Sequence, residues 1–139
     1  MASAAVELDP RLIAFVLPSI PESARMARFH IRAALGFHGL DEYADDAETI
    51  TSELVANAVQ HVRDDGTNTI VVTLARVWNP AAVTVVVSDS SPECPIRRDT
   101  PADSEQGRGL QIVEELSAHW GWRQEDGGKA IFAILAREA

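Results

Sequence analysis

Several features that mark other protein classes are scarce or missing in this sequence. It has a single cysteine, Cys94, so an internal disulfide is impossible, and no Cys/His cluster has the spacing of a zinc site. No apolar run reaches the roughly 18 residues that cross a bilayer. The N-terminus carries Glu7 and Asp9 instead of the basic start of a signal peptide. We therefore expect a cytoplasmic protein with no membrane association.

Basic residues are also in short supply. Lysine and arginine together number 12 against 21 acidic residues, which gives a net charge of -9 at pH 7. A chain with this charge lacks the general attraction to phosphate backbones on which nucleic-acid binding depends. We expect no direct nucleic-acid partner.

What is present suits one globular domain over residues 1–139, with its core in about residues 11–136. Periodicity and turn residues predict a strand, two helices, two strands, a long loop, a helix and two strands. The predicted segments are 11–17, 23–35, 41–62, 70–75, 82–87, 90–106, 110–118, 120–124 and 130–136. The helices are bunched and do not alternate with strands. This order predicts an α+β two-layer sandwich, in which a mixed or antiparallel sheet has helices on one face.

The second predicted helix has an unusual line of polar side chains. Glu53, Asn57 and His61 are spaced i, i+4, i+8 and so fall on one side of it. A separate apolar stripe marks the side that faces the core; its members are Ala47, Ile50, Leu54 and Ala58. The polar line is either a solvated surface or a site. A carboxylate can accept the proton of a hydroxyl, and an amide oxygen one turn away is a ligand that Mg²⁺ accepts.

Asp89 stands at the end of a strongly β-branched strand, where the chain enters the long loop. A carboxylate at this position can accept a hydrogen bond from a ligand, and the exocyclic amine of adenine is a natural donor. Aspartate also ends strands simply because it caps turns. The position alone leaves both interpretations open.

Residues 90–106 contain three prolines and no helical or strand period, and they lead to Gly107-Arg108-Gly109 before a helix that begins with Leu110. Loops of this length in a compact domain are usually functional or disordered. Glycines before a helix let backbone N–H groups approach an anion, and Arg108 can reach phosphate oxygens. Glycines also start helices without any ligand. The chain contains neither a Walker A sequence nor a Rossmann fingerprint.

In this order, the three segments resemble the N, G1 and G2 boxes of the GHKL superfamily of ATP-binding domains, whose nucleotide site is the Bergerat fold. Within that superfamily the chain most resembles the bacterial anti-sigma-factor serine/threonine kinases, over about residues 11–136. The matching stretches are ELVANA at 53–58, VSD at 87–89 and GRGLQIV at 107–113. The resemblance implies a histidine-kinase-like ATPase fold.

The resemblance also implies roles for the matching positions. Glu53 would be the base that activates a substrate hydroxyl, Asn57 the Mg²⁺ ligand and Asp89 the adenine acceptor. Gly107 and Gly109 would cradle the phosphates of ATP, Arg108 and Leu110 would also belong to the ATP-binding residues, and residues 90–106 would form the ATP lid. ATP and Mg²⁺ are the implied cofactors. The implied protein partner is a sigma factor or an anti-sigma-factor antagonist, which is phosphorylated on Ser or Thr, and relatives commonly pair as homodimers.

Two positions depart from the family pattern. Ser91-Pro92 stands where the G1 box has its second glycine, although the anti-sigma branch often has a proline there. Ala130 stands where the last hairpin usually has a threonine, whose hydroxyl helps to hold adenine. Two other functions therefore stay open. One is a non-catalytic module that sequesters a regulator, with ATP as a conformational ligand or absent, and the other is an orphan catalytic domain of a sensor kinase.

Overall fold

A computed structural model of the chain describes residues 11–61, 68–78, 81–90, 105–125 and 127–136. In chain order the elements are β1 (Arg11–Pro18), α1 (Ser23–Phe37), a 3₁₀ turn (Asp41–Tyr43), α2 (Ala44–His61), β2 (Thr69–Trp78), β3 (Ala81–Asp89), α3 (Glu105–Leu116), β4 (His119–Glu125) and β5 (Gly128–Ala136). The order of helices and strands is the one that the sequence predicts. The predicted turn at 64–66, Cys94 and the loop from 91 to 104 lie outside the described residues.

The five strands form one sheet in the order β1-β2-β3-β5-β4, and every neighbouring pair is antiparallel. The α+β prediction is confirmed, and of its two sheet types the antiparallel one is found. β2 and β3 form a hairpin, as do β4 and β5, because each pair is joined by a short connection. β5 lies between β3 and β4, so the end of β3 is beside the start of β5.

The core lies between the helices and one face of this sheet. On β3, Val83, Val85 and Val87 are buried, while the alternating residues are only partly covered. The predicted apolar stripe of α2 is confirmed: Ala47, Ile50, Leu54 and Ala58 are all fully buried. Burial of one such leucine or isoleucine side chain stabilises the fold by about 1.5–3 kcal/mol. This stripe therefore fixes the rotation of α2 on the sheet.

The boundaries differ from the prediction at α3. The helix begins at Glu105, so Gln106, Gly107 and Gly109 lie inside its first turns and not in a loop before it. Glu105 is a good helix former, and an acidic side chain is favourable at a helix N-terminus. These gains offset only part of the roughly 1 kcal/mol that each of the two glycines costs in a helix, and packing of α3 against α2 offsets the rest. The predicted lid therefore loses its last two residues to α3.

One ion-pair cluster joins α1 to α2 on the surface. Arg32 donates hydrogen bonds to Asp45, at 2.6 Å, and to Glu48. The hydrogen bond to Asp45, followed by that to Glu48, raises the pKa of Arg32 above its usual value. The arginine is charged at neutral pH with or without this shift, so the cluster does not respond to pH near neutrality.

None of the helices in the described part of the chain is long and apolar enough to cross a membrane.

Candidate functional site

The polar line on α2 lies at the border between core and surface. Since the apolar stripe packs against the sheet, Glu53 and Asn57 are carried to the edge of the buried side of the helix. Glu53 is half-buried and Asn57 is 6% exposed. A merely solvated line would be well exposed, so these two side chains are not ordinary surface polar residues. The side chain of His61, the last residue of α2, is not among those described.

The amide of Asn57 has an unusual environment. Its Oδ1 atom is buried and has no hydrogen-bond partner among the described residues. A buried acceptor without a partner costs about 1–3 kcal/mol, so such atoms are rare unless something else satisfies them. Thr51 on the same helix also has an unpaired side-chain oxygen, but this residue is 0% exposed and no ligand can touch it. Asn57 keeps some exposure and is therefore the one of these two that a ligand could reach.

Helix α3 approaches Glu53 closely. A Cβ atom added at Gly109 would lie 2.8 Å from Oε1 of Glu53, which is closer than real Cβ contacts allow. Gly109 itself is buried. The absence of a side chain at 109 thus lets the carboxylate of Glu53 lie directly against the backbone of α3. The first and third predicted segments meet here.

The helix start changes which backbone groups are available to an anion. Only the N–H groups of the first turn of a helix lack intrahelical acceptors, and in α3 that turn includes Gly107. Gly109 and Leu110 follow it, so their N–H groups belong to the helical hydrogen-bond ladder. The side chain of Leu110 is 1% exposed and packs in the interior, and that of Arg108 is outside the described set. A phosphate cradle in this structure would therefore centre on Gly107.

Asp89 is buried at the end of β3, and it does not stand alone. Lys129, opposite it on β5, places its Nζ atom 3.1 Å from Oδ1 and 3.0 Å from Oδ2 of Asp89. The side chains are 0% exposed for Lys129 and 1% for Asp89. Sequence reasoning missed Lys129, although one signal was present. It is a lone lysine in the otherwise apolar strand GKAIFAILA.

Two neighbours of this ion pair explain how the strands come so close. A Cβ atom at Gly128 would lie 1.9 Å from the backbone oxygen of Asp89, and backbone cannot move aside, so only glycine fits at 128. Ala130 is buried and pairs with Ser88. The end of β3 and the start of β5 therefore form one tightly packed corner around Asp89.

The residues suit only one mode of metal binding. In the described ranges, no group of three or more His, Cys, Asp and Glu side chains is placed to hold a metal ion. Mg²⁺ often uses one or two protein ligands and completes its shell with substrate phosphates and water. The oxygen of Asn57 fits that mode, because it is a hard acceptor without a hydrogen-bond partner among the described residues.

Comparisons with known proteins agree with this fold. The family model described as "Histidine kinase-like ATPase domain" matches residues 17–135. Among solved structures, the chain is similar to the histidine kinase domain of a blue-light activated histidine kinase from Erythrobacter litoralis EL346. That likeness has a TM-score of 0.51 and 19% sequence identity, and it covers 97% of this chain and 67% of that one. It supports the fold alone. A search of curated proteins finds no match.

Proposed function

This chain belongs to the histidine kinase-like ATPase domain family, and on that basis we propose that it binds Mg-ATP and transfers the γ-phosphoryl group to a Ser or Thr hydroxyl of a partner protein. Domains of this family bind ATP, typically with Mg²⁺. The finer assignment follows the resemblance to anti-sigma-factor kinases. In such a reaction the protein contributes positioning and electrostatic stabilisation.

The observation that carries the proposal is the buried, unpaired Oδ1 atom of Asn57. A chain that only needed a stable helix would gain by having an apolar residue here, because the acceptor is taken from water without compensation. A bound Mg²⁺ would supply that compensation and would also neutralise charge on the phosphate oxygens. Asn57 would thus hold the ion.

Glu53 is the proposed base. Its carboxylate lies one turn before Asn57, against the backbone of Gly109. There it would accept the proton of the Ser or Thr hydroxyl, while that oxygen bonds to the γ-phosphorus and the bond from phosphorus to the β–γ bridging oxygen breaks. ADP is the leaving group. Each atom is accounted for, and no further reactant is needed.

The remaining residues would bind and orient ATP. Asp89 would accept a hydrogen bond from the exocyclic amine of adenine, and the backbone N–H groups of the first turn of α3, around Gly107, would contact phosphate oxygens. Arg108 would add positive charge to the same phosphates. Gly109 would give Glu53 its room, and Leu110 would anchor α3 through its buried side chain. These roles refine those implied by the resemblance, in which all four residues from 107 to 110 bind ATP.

The proposed partner is a sigma factor or an anti-sigma-factor antagonist, with transcription controlled as the chain exchanges one for the other. We extend the proposal to a homodimer, as is common among the kinases that the chain resembles.

A second candidate function is a module that sequesters its partner without turnover. The observation that favours it is the covered carboxylate of Asp89, which Lys129 already contacts through both oxygens. An adenine amino group reaches this carboxylate only after a covering group moves. If that group never moves, adenine would not bind to Asp89, but the fold would still present a surface to a protein partner.

The substitution Asn57→Ala tests the proposal. In the absence of metal, the variant and the parent are expected to bind ATP with the same affinity. The variant should lose the gain in affinity that Mg²⁺ gives, because the amide oxygen holds the ion and not the base. Without ligand, the free energy of unfolding of the variant is expected to stay the same or to rise by about 1 kcal/mol, since a buried unpaired acceptor is removed and alanine favours the helix. Calorimetric titration of ATP with and without Mg²⁺, together with thermal unfolding, measures both.

Gln60→Ala is the matched control, because Gln60 is exposed on the same helix. It should respond to Mg²⁺ as the parent does. Equal Mg²⁺ responses of the parent and Asn57→Ala would show that Asn57 is no metal ligand, and would remove the observation on which the proposed function rests.

A further inference from the structure

The ion pair between Lys129 and Asp89 is buried to a degree unusual for charged residues. Both side chains are essentially inaccessible, and the ammonium contacts both carboxylate oxygens at 3.0–3.1 Å. Lysine and aspartate are almost never fully buried unless they are paired, because transfer of each charge from water is expensive. Apolar residues at both 89 and 129 would often give a fold that is equally stable or more stable, because a buried ion pair seldom repays the cost of taking two charges out of water. Stability alone therefore does not account for the lysine.

The lysine determines what the carboxylate can do chemically. An ionised carboxylate only accepts hydrogen bonds, whereas a protonated one also donates. A carboxylate buried without a cation takes up a proton to avoid the uncompensated charge. Lys129 supplies that cation, so it keeps Asp89 an acceptor. Lys129 itself is fully buried, so it would act on the base through Asp89 and not by direct contact.

The difference matters at position 6 of a purine. Adenine carries an amino group there, which donates, whereas hypoxanthine and guanine carry an oxygen, which accepts. An acceptor-only Asp89 would bind the amino group and repel the oxygen. A protonated Asp89 could donate to the oxygen. The charge state of one side chain thus separates the two classes of base.

We propose that Lys129 is the positioning residue that makes the nucleotide site select adenine over 6-oxo purines, by holding Asp89 as an ionised acceptor. This inference rests on the proposed function, in which Asp89 contacts the base. It assigns to Lys129 a role in specificity, beyond its part in packing β5 against β3.

The experiment compares the affinities of ATP and inosine triphosphate (ITP), which has an oxygen in place of the amino group of adenine. Calorimetry with the full chain and Mg²⁺ is run on the parent and on Lys129→Met, which keeps the length of the side chain and removes its charge. The parent should prefer ATP by about 10- to 150-fold, the range for a hydrogen bond to a charged group. Lys129→Met should lose most of that preference. A role in packing alone would weaken both nucleotides by the same factor and leave the ratio unchanged.

Two further variants keep the test decisive. Removal of one partner of a buried ion pair strongly destabilises a fold. The double variant Asp89→Asn with Lys129→Met is therefore prepared as well, because it is neutral and of similar shape. The amide that replaces the carboxylate can accept or donate a hydrogen bond after rotation. The ratio of ATP affinity to ITP affinity in the double variant should therefore also fall toward one. Arg123→Met is the control for loss of a positive charge, since Arg123 is exposed on the neighbouring strand β4, and it should keep the preference of the parent.

The outcomes separate this inference from the function on which it rests. A preference for ATP that persists in Lys129→Met, or in the double variant if the single one does not fold, overturns the role of Lys129 and leaves ATP binding intact. Failure of the parent to bind either nucleotide overturns both. Loss of preference in Lys129→Met, with the Arg123 control unchanged, supports the inference.

Discussion

Glu53→Gln is expected to lower phosphoryl transfer by about 10²- to 10⁴-fold while ATP affinity and partner capture stay as in the parent. Glutamine keeps the size and hydrogen-bonding capacity of the side chain but cannot accept the proton of the attacking hydroxyl. The measurement is transfer of label from γ-labelled ATP to proteins that the chain captures. Capture by the parent and the variant is quantified in the same experiment.

The contact between Glu53 and Gly109 offers a second way to disturb the same carboxylate. A methyl group at 109 would approach Oε1 within 2.8 Å, so in Gly109→Ala the carboxylate must shift. Stability should not fall through helix propensity, because alanine is better than glycine within a helix by about 1 kcal/mol. Transfer should fall by roughly 10²-fold, the cost of misplacing a catalytic group by about 1 Å. If Gly109 acts through Glu53, the double variant should be no slower than Glu53→Gln alone.

These two variants also distinguish the kinase from the sequestering module. A module without turnover captures its partner equally well with either substitution, and its parent form transfers no label to any captured protein. That result would decide against Glu53 as a base and against the kinase. Transfer by the parent that Glu53→Gln does not reduce would retain the kinase and reject this residue as its base.

The parts of the site that the sequence could predict depend on local periodicity. The stripe that begins at Ala47 determines which side of α2 meets the sheet, and the position of Glu53 and Asn57 follows from their offset around the helix. The alternation on β3 likewise shows that Val83, Val85 and Val87 share the buried face. Asp89 continues that alternation by two residues, so its burial at the end of the strand was predictable as well.

The parts that could not be predicted depend on contacts between segments far apart in the chain. Asp89 and Lys129 are 40 residues apart, and they meet only because β5 pairs with β3 in one particular register. The start of α3 was missed for a different reason. Two glycines favour a loop in any local reading, whereas packing of the helix against α2, next to Glu53, supports it in the fold. Both surprises lie at the candidate site, where local preference and tertiary structure disagree.

The pairing with Lys129 also decides how the adenine contact should be tested. Asp89→Ala would break the buried ion pair with Lys129, which typically costs about 3–5 kcal/mol, so a loss of binding could reflect a damaged fold. Asp89→Asn keeps the shape and one acceptor oxygen for Lys129. It removes the charge-assisted hydrogen bond to adenine, which is worth about 1.5–3 kcal/mol.

Asp89→Asn is accordingly expected to weaken Mg-ATP binding by about 10- to 150-fold. Binding of inorganic tripolyphosphate with Mg²⁺ should be unchanged, because Asp89 contacts the base and not the phosphates. Ser88→Ala is the matched control, since Ser88 precedes Asp89 on β3 and its side chain points to the other face of the sheet. Calorimetric titration of both ligands measures the two effects. An unchanged ATP affinity would reject Asp89 as the adenine acceptor, and an equal loss for tripolyphosphate would mean that the substitution disturbs the whole site and not a contact with the base.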